Sequence, residues 1–391
     1  MNQTFLKDWA GVIYADALKQ GRPWNRADGS PAIVNQFGHP TEAASSYLSG
    51  SYPLRAGTYR VYHDGQLDIS FSHGTLGSFS TDPATGLKVA TWTLPSRTSN
   101  VRMFVDNVVT APTVLSIMRP IDDGSSTSHD FGELPDRLMD LRLGGTEVMR
   151  FMDPLDTNGN DSEKWEFRVR PDEHPRTIKP QGGEGMPWEH IIAFCNQMGI
   201  SPFINIPVKA DDEYIRNVAK VFRYGSNGTD PFNSDAEREA HRVAGGTVWE
   251  PLDPSLALYI EYSNEVWNNN SSFSQTAWLR EQALTEAEED PNSPLVYDGV
   301  SAASSNAFDR LMLGRAYTRR VVFISNTFRE VFGDDQMMTR VRPFLFWQKS
   351  NANSHGSFRL AFLEDFYGTV RPGNPVAHPP SYYVWGGGTQ G

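Results

Sequence analysis

The residues best suited to chemistry stand together as Ser263, Asn264, Glu265, Val266 and Trp267, at the end of the apolar string LALYIEYSNEVWN (256–268). Glu265 closes what reads as a buried strand, with the indole of Trp267 two residues on. A carboxyl group held against apolar surface has its pKa raised and can donate a proton near neutrality. The amide of Asn264 can hydrogen-bond a substrate hydroxyl, and Trp267 offers a face for a sugar ring. An Asn-Glu pair equally suits the start of a helix, where the dipole favours Glu, so residue types and spacing leave both readings open.

These side chains need elements to hold them. Residues 52–109 run as short alternating segments (YRVYHDG, LDISFS, LKVATWTLP, VRMFVDNV) broken by Gly, Pro, Asp and Ser, the pattern of an antiparallel sandwich or meander. From residue 113 the rhythm becomes strand, loop, helix. The expected strands are 113–120, 146–153, 201–208, 255–263, 340–348 and 381–387, and the expected helices 134–143, 188–198, 211–224, 278–289, 304–332 and 357–367. Such alternation predicts a parallel sheet with right-handed crossovers. No G-x-G-x-x-G turn follows the first strand, which disfavours a dinucleotide fold. The expected fold class is therefore α/β, a TIM-type (β/α) barrel with an N-terminal antiparallel β-rich domain. Its segments are 1–50, a helix over 6–19 and an irregular stretch; 51–111, a β-sandwich-like domain; and 112–391, a partial barrel. Closure takes eight strands, and six are legible, so the barrel is expected to be incomplete.

The string YSNEVWN resembles the strand-four signature of clan A glycoside hydrolases, which are (β/α)8 barrels. By that resemblance Glu265 is the general acid/base and Asn264 holds the hydroxyl beside the anomeric carbon. The segment VMRFMDPLDTNGNDSEKWEFR (148–168) resembles the strand-two region of cellulase-like members, and the similarity continues through 189–219 and covers roughly 112–391. Arg150, Asp153 and Asn158 then fall at the end of strand two and in its loop, where a guanidinium can orient a carboxylate and the acid and amide can bond sugar hydroxyls. Asp153 is as well suited to capping a turn before Pro154. Trp165 sits in a polar loop, where an indole is costly unless it meets a ligand or closes over the barrel mouth. Asn205 on strand three, Trp347 at the end of strand five, and Tyr383 and Trp385 on strand six complete the expected binding residues; the resemblance sets an aromatic hydroxyl near the nucleophile on strand six.

A retaining glycosidase needs a second carboxylate about 5–5.5 Å from the first. In the clan it ends strand seven, beyond Gly391, so the nucleophile is expected to lie outside this chain. The later glutamates (Glu281, Glu286, Glu288, Glu289, Glu330 and Glu364) fall in helical patterns. The function expected of the parent protein is retaining hydrolysis of a β-linked polysaccharide; the alternative is a non-catalytic carbohydrate-binding or scaffold protein. With one carboxylate and open strand edges, residues 1–391 alone are expected to be inactive and poorly soluble.

Composition sets the remaining bounds. The formal net charge of −12, without a basic run, argues against nucleic acid and anionic membrane as partners and favours neutral or basic ligands; the resemblance implies a polysaccharide or oligosaccharide. The single Cys195 rules out a disulfide framework, and nine scattered His lack ligand spacing, so no metal or cofactor is expected. No signal peptide or membrane-length apolar stretch is legible in the chain; the resemblance implies a secreted or extracellular parent.

Overall fold

The computed structural model describes residues 12–136, 145–158, 160–173 and 185–390. The chain divides into two compact units: Met1–Glu147 with Asp153–Leu155 and Val169–Met198, and Val148–Met152 with Asp156–Arg168 and Gly199–Gly391.

In the first unit the alternating segments become strands β1 Ala44–Tyr47, β2 Gly57–His63, β3 Gln66–Phe71, β4 Thr75–Leu76, β5 Ser80–Thr81, β6 Lys88–Leu94, β7 Arg102–Thr110 and β8 Leu115–Met118. They form two antiparallel sheets, ordered β1-β7-β3 and β4-β6-β2-β8, with β5 on β6. The inward positions of β2, β6 and β7 (Tyr59, Val61, Trp92, Met103 and Val105) are fully buried in one apolar core, where Phe71 stacks on Trp92 at 4.0 Å. The unit also holds helix α1, Trp188–Met198, whose buried face includes Cys195; burial pushes that thiol's pKa up.

The second unit contains β9 Val148–Arg150, β10 Ser201–Ile206, α2 Asp212–Tyr224, α3 Asp235–Val243, β11 Leu258–Tyr262, α4 Ser274–Glu289, α5 Phe308–Phe332, β12 Val341–Gln348, α6 Ser357–Ala361, α7 Pro380–Tyr383 and β13 Gly386–Gln390. Its strands make one open parallel sheet in the order β13-β12-β11-β10-β9. Asp211 caps α2 by accepting from Tyr214 N at 2.7 Å, and Gly225 ends it at φ 80°, where an added Cβ would collide with the Trp249 carbonyl. One face of the sheet (Ile204, Ile206, Leu258, Ile260, Val341 and Leu345) is buried, with α5 packed against β11 and β12.

The expected TIM-type barrel is not what forms. Among the described residues there are three sheets, two of them antiparallel, and the parallel one has five strands. The segment 113–120, expected as the first parallel strand, is β8, which pairs antiparallel with β2 through Arg60↔Met118 and His63↔Leu115. A four-residue buried run carries no mark of strand direction, because direction is set by the partner. The segment expected as strand six also divides: Pro380 opens the single turn α7, which takes Tyr383 out of any strand, and β13 begins at Gly386. Glycines have no side-chain period to reveal a strand.

Helices expected at 188–198, 211–224, 278–289 and 304–332 are present within a few residues, and α3 was not anticipated. Residues 357–367 form α6 followed by a π turn, Phe362–Phe366. Of the helix expected over 6–19, residues 1–11 lie outside the described ones, and 12–17 are irregular before a 3-10 turn at Leu18–Gln20. The helix expected over 134–143 falls largely on residues 137–144, also outside.

Candidate active site

The register of the parallel sheet assembles the site. Arg150 on β9 is level with Phe203 on β10, which is level with Tyr259 on β11, and one step on Asn205 faces Glu261. Directly paired residues share a face, so cation, amide and acid meet opposite the face that carries the buried Ile and Leu residues. Arg150 Nη2 donates to Glu261 Oε2 at 2.6 Å and to Asn264 Oδ1 at 3.0 Å, and Asn205 Nδ2 donates to Glu261 Oε2 at 2.8 Å. Glu261 is only 1% exposed, so its carboxyl is held by these donors rather than by bulk water. The same face then carries an aromatic layer: Phe203 stacks with Phe344 at 5.6 Å, Tyr259 meets Trp385 edge-on at 5.8 Å, and the Arg150 guanidinium lies 5.3 Å from the Phe203 ring centre.

Beyond β11 the chain makes an unusual turn. Ser263 and Glu265, neither a glycine, have φ of 56° and 44°, in the left-handed region that side chains normally avoid. Four consecutive carbonyls in this turn are each gripped by a side chain from another element. Asn205 donates to Ser263 O at 2.6 Å and Gln275 to Asn264 O at 2.8 Å. Thr276 donates to Glu265 O at 3.3 Å and Arg359 to Val266 O at 2.9 Å. The turn is tightened by Trp267 N and Asn268 N, which both donate to Glu265 O. Glu265 itself is partly exposed, and its Oε2 accepts from Asn268 Nδ2 at 2.9 Å.

Asn264 is buried and works within the cluster: besides accepting from Arg150, its Nδ2 donates to Asn158 Oδ1 at 3.0 Å, an oxygen that also receives Gln275 Nε2 at 2.8 Å. Arg150, Asn158, Asn205 and Asn264 are thus brought together, and Glu265 emerges beside them. The remaining candidates go elsewhere. Trp267 is 3% exposed, its ring centre 5.6 Å from the buried Arg359 guanidinium, so its face is occupied from within the protein. Trp165 is held in a 3-10 turn, donating Nε1 to Thr229 O at 3.0 Å and packing edge-on to Tyr214. Trp347, at the end of β12, is partly buried against Gly356 and Gly387. Tyr383 is buried beside Tyr367 and His378, whereas Trp385 is 45% exposed just before β13. Asp153 belongs to the first unit.

Sequence reasoning passed over Glu261, Gln275, Thr276 and Arg359. Glu261 had a signal, a lone acid inside an apolar strand. The other three had none, since they lie on helices whose polar residues are otherwise solvated. Comparison with protein-family models, curated proteins and solved structures gives no match to this chain. Among the described residues no group of three or more His, Cys, Asp or Glu is placed to hold a metal ion, and no helix is long and apolar enough to cross a membrane.

Proposed function

We propose that the second unit carries a glycosidase-type site for a β-linked polysaccharide, with Glu265 as proton donor and Asn264 as the residue that fixes its surroundings. One observation carries this reading: a partly exposed carboxyl group projects from a strained turn whose four successive carbonyls are each pinned by a separate side chain. Strain of this kind costs about 1–3 kcal/mol per residue and persists only where the surroundings over-determine it, as they do when a catalytic group must be preorganised. The aromatic layer beside Arg150 and Glu261 supplies apolar faces suited to the C–H side of pyranose rings. The test is release of reducing ends from a β-glucan. In the full-length parent, which the retaining reading requires for its second carboxylate, replacing Glu265 by Gln lowers turnover by about 10²- to 10⁴-fold, with glycan affinity retained; unchanged turnover rules out the assignment.

A second reading, a non-catalytic carbohydrate-binding protein, draws on Glu261. It is the one other carboxylate that the described hydrogen bonds join to this cluster, and it is buried and already held by Arg150 and Asn205, which suits structure better than nucleophilic attack. Glycan binding without turnover in the full-length parent selects this reading.

A further inference from the structure

A groove of about 590 Å³ opens on the helix side of the same sheet, away from the polar cluster around Glu261. Tyr262, the residue that follows Glu261 and so points to the opposite face, lies in its floor and donates its hydroxyl to Val208 O at 2.7 Å, tying the end of β11 to the segment after β10. One wall is a stripe of α4: Trp278, Gln282 and Glu286 follow at four-residue intervals and share a helix face. The other walls come from α5 and from the residues that lead into α2.

The cations of the groove are already paired. Arg319 grips Glu286 with two bonds of 2.5 and 2.6 Å, Arg320 pairs with Asp212 at 2.7 Å, and Lys209 pairs with Asp161 at 2.8 Å. An anion would have to strip a cation from its partner, and the further acids Glu163, Asp211 and Glu213 in the lining would repel it. A neutral polyol can instead bond to the outward lone pairs and N–H groups of the paired Glu286 and Arg319 and to the exposed amide of Gln282 without breaking a pair. The partly buried indole of Trp278 adds an aromatic face to the stripe of Gln282 and Glu286. The volume falls within the range of about 300–1,000 Å³ usual for small-molecule sites.

We infer that this groove is a second binding site, for a neutral oligosaccharide, built on Trp278, Gln282 and the Glu286–Arg319 pair and independent of Glu265. It extends the carbohydrate reading to a separate surface but stands on its own lining residues.

The test labels the protein with 5-fluorotryptophan and titrates it with cellotetraose, following the fluorine resonance that disappears in Trp278→Phe. That resonance is expected to shift saturably, with the same affinity in Glu265→Gln. Gln282→Ala, an exposed position, is expected to weaken binding about fivefold, the worth of one neutral hydrogen bond. Trp278→Ala is expected to weaken binding at this site, read by calorimetry, about tenfold, equivalent to about 1.4 kcal/mol. A Trp278 resonance that ignores cellotetraose, or one that answers to spermidine or inorganic phosphate instead, overturns the assignment, as does an unchanged affinity in Gln282→Ala. Loss of hydrolysis in Glu265→Gln with groove binding intact keeps the two sites distinct, and a silent groove leaves the reading of Glu265 untouched.

Discussion

Arg150 and Glu261 are the residues on which the polar cluster depends most. Removing one partner of a buried pair leaves the other group without compensation, which costs about 3–5 kcal/mol, whereas replacing both with apolar side chains can be nearly neutral. Arg150→Met is therefore expected to lower the urea-unfolding free energy at pH 7 by about 3–5 kcal/mol, with most of that loss recovered in Arg150→Met/Glu261→Leu. A single variant within about 1 kcal/mol of the original would mean that Asn205 and the acid's other neighbours, the Arg359 guanidinium among them, satisfy it without Arg150. Arg150, Asn205, Asn264 and Glu265 stood out in the sequence as polar residues at or near the ends of apolar runs, and Asn158 in the loop after one; the roles given to Asn264 and Glu265 came from the resemblance of YSNEVWN. It gave tryptophans too much weight as ligand platforms. Trp165 and Trp267 show why: an indole near a strand end has the same local text whether it faces a ligand or an internal partner such as Tyr214 or Arg359.

The turn after β11 makes its own prediction. Ser263 is fully buried at φ 56°, and its hydroxyl has no hydrogen-bond partner among the described residues, so both backbone and side chain sit at a cost. Glycine relieves the left-handed strain, and Ser263→Gly is expected to raise stability by about 0.5–1 kcal/mol in urea melts while lowering turnover or glycan affinity by loosening Glu265. Destabilisation of that variant would mean that no strain is stored there. Helices were readable where apolar residues recur at 3.6-residue spacing over several turns, as in α1, α2 and α5. Strand direction was not readable. β8 has the composition of a parallel strand, yet β2 is its partner, and that choice is made by tertiary pairing beyond any local window.

At the scale of the whole molecule, stability should depend on mild acid through His39. Burial is the main cause that brings its imidazole down from 6.5 to about 4; a 3.2 Å contact between Nδ1 and Pro112 O opposes the shift and nearby Lys19 adds to it. Between those values the unfolded chain binds a proton that the folded chain does not, so this contribution is complete above pH 6.5 and falls as the pH drops towards 4. Urea melts at pH 7 and pH 4.5 are expected to differ by up to about 3 kcal/mol from this group, and His39→Gln should remove that part of the slope while the part from His355, which burial also brings from 6.5 to about 4, remains; an unchanged slope in His39→Gln would contradict the assignment. The central claim is that Glu265 delivers a proton to the departing sugar oxygen. It is tested most directly by comparing the full-length parent, in which the second carboxylate takes the glycosyl group, with its Glu265→Gln variant on a β-glucan and on a dinitrophenyl β-glycoside, whose leaving group needs no proton. The predicted result is a loss of about 10²- to 10⁴-fold on the glucan with little change in the initial release of dinitrophenolate; equal losses on both substrates, or no loss on either, would contradict it.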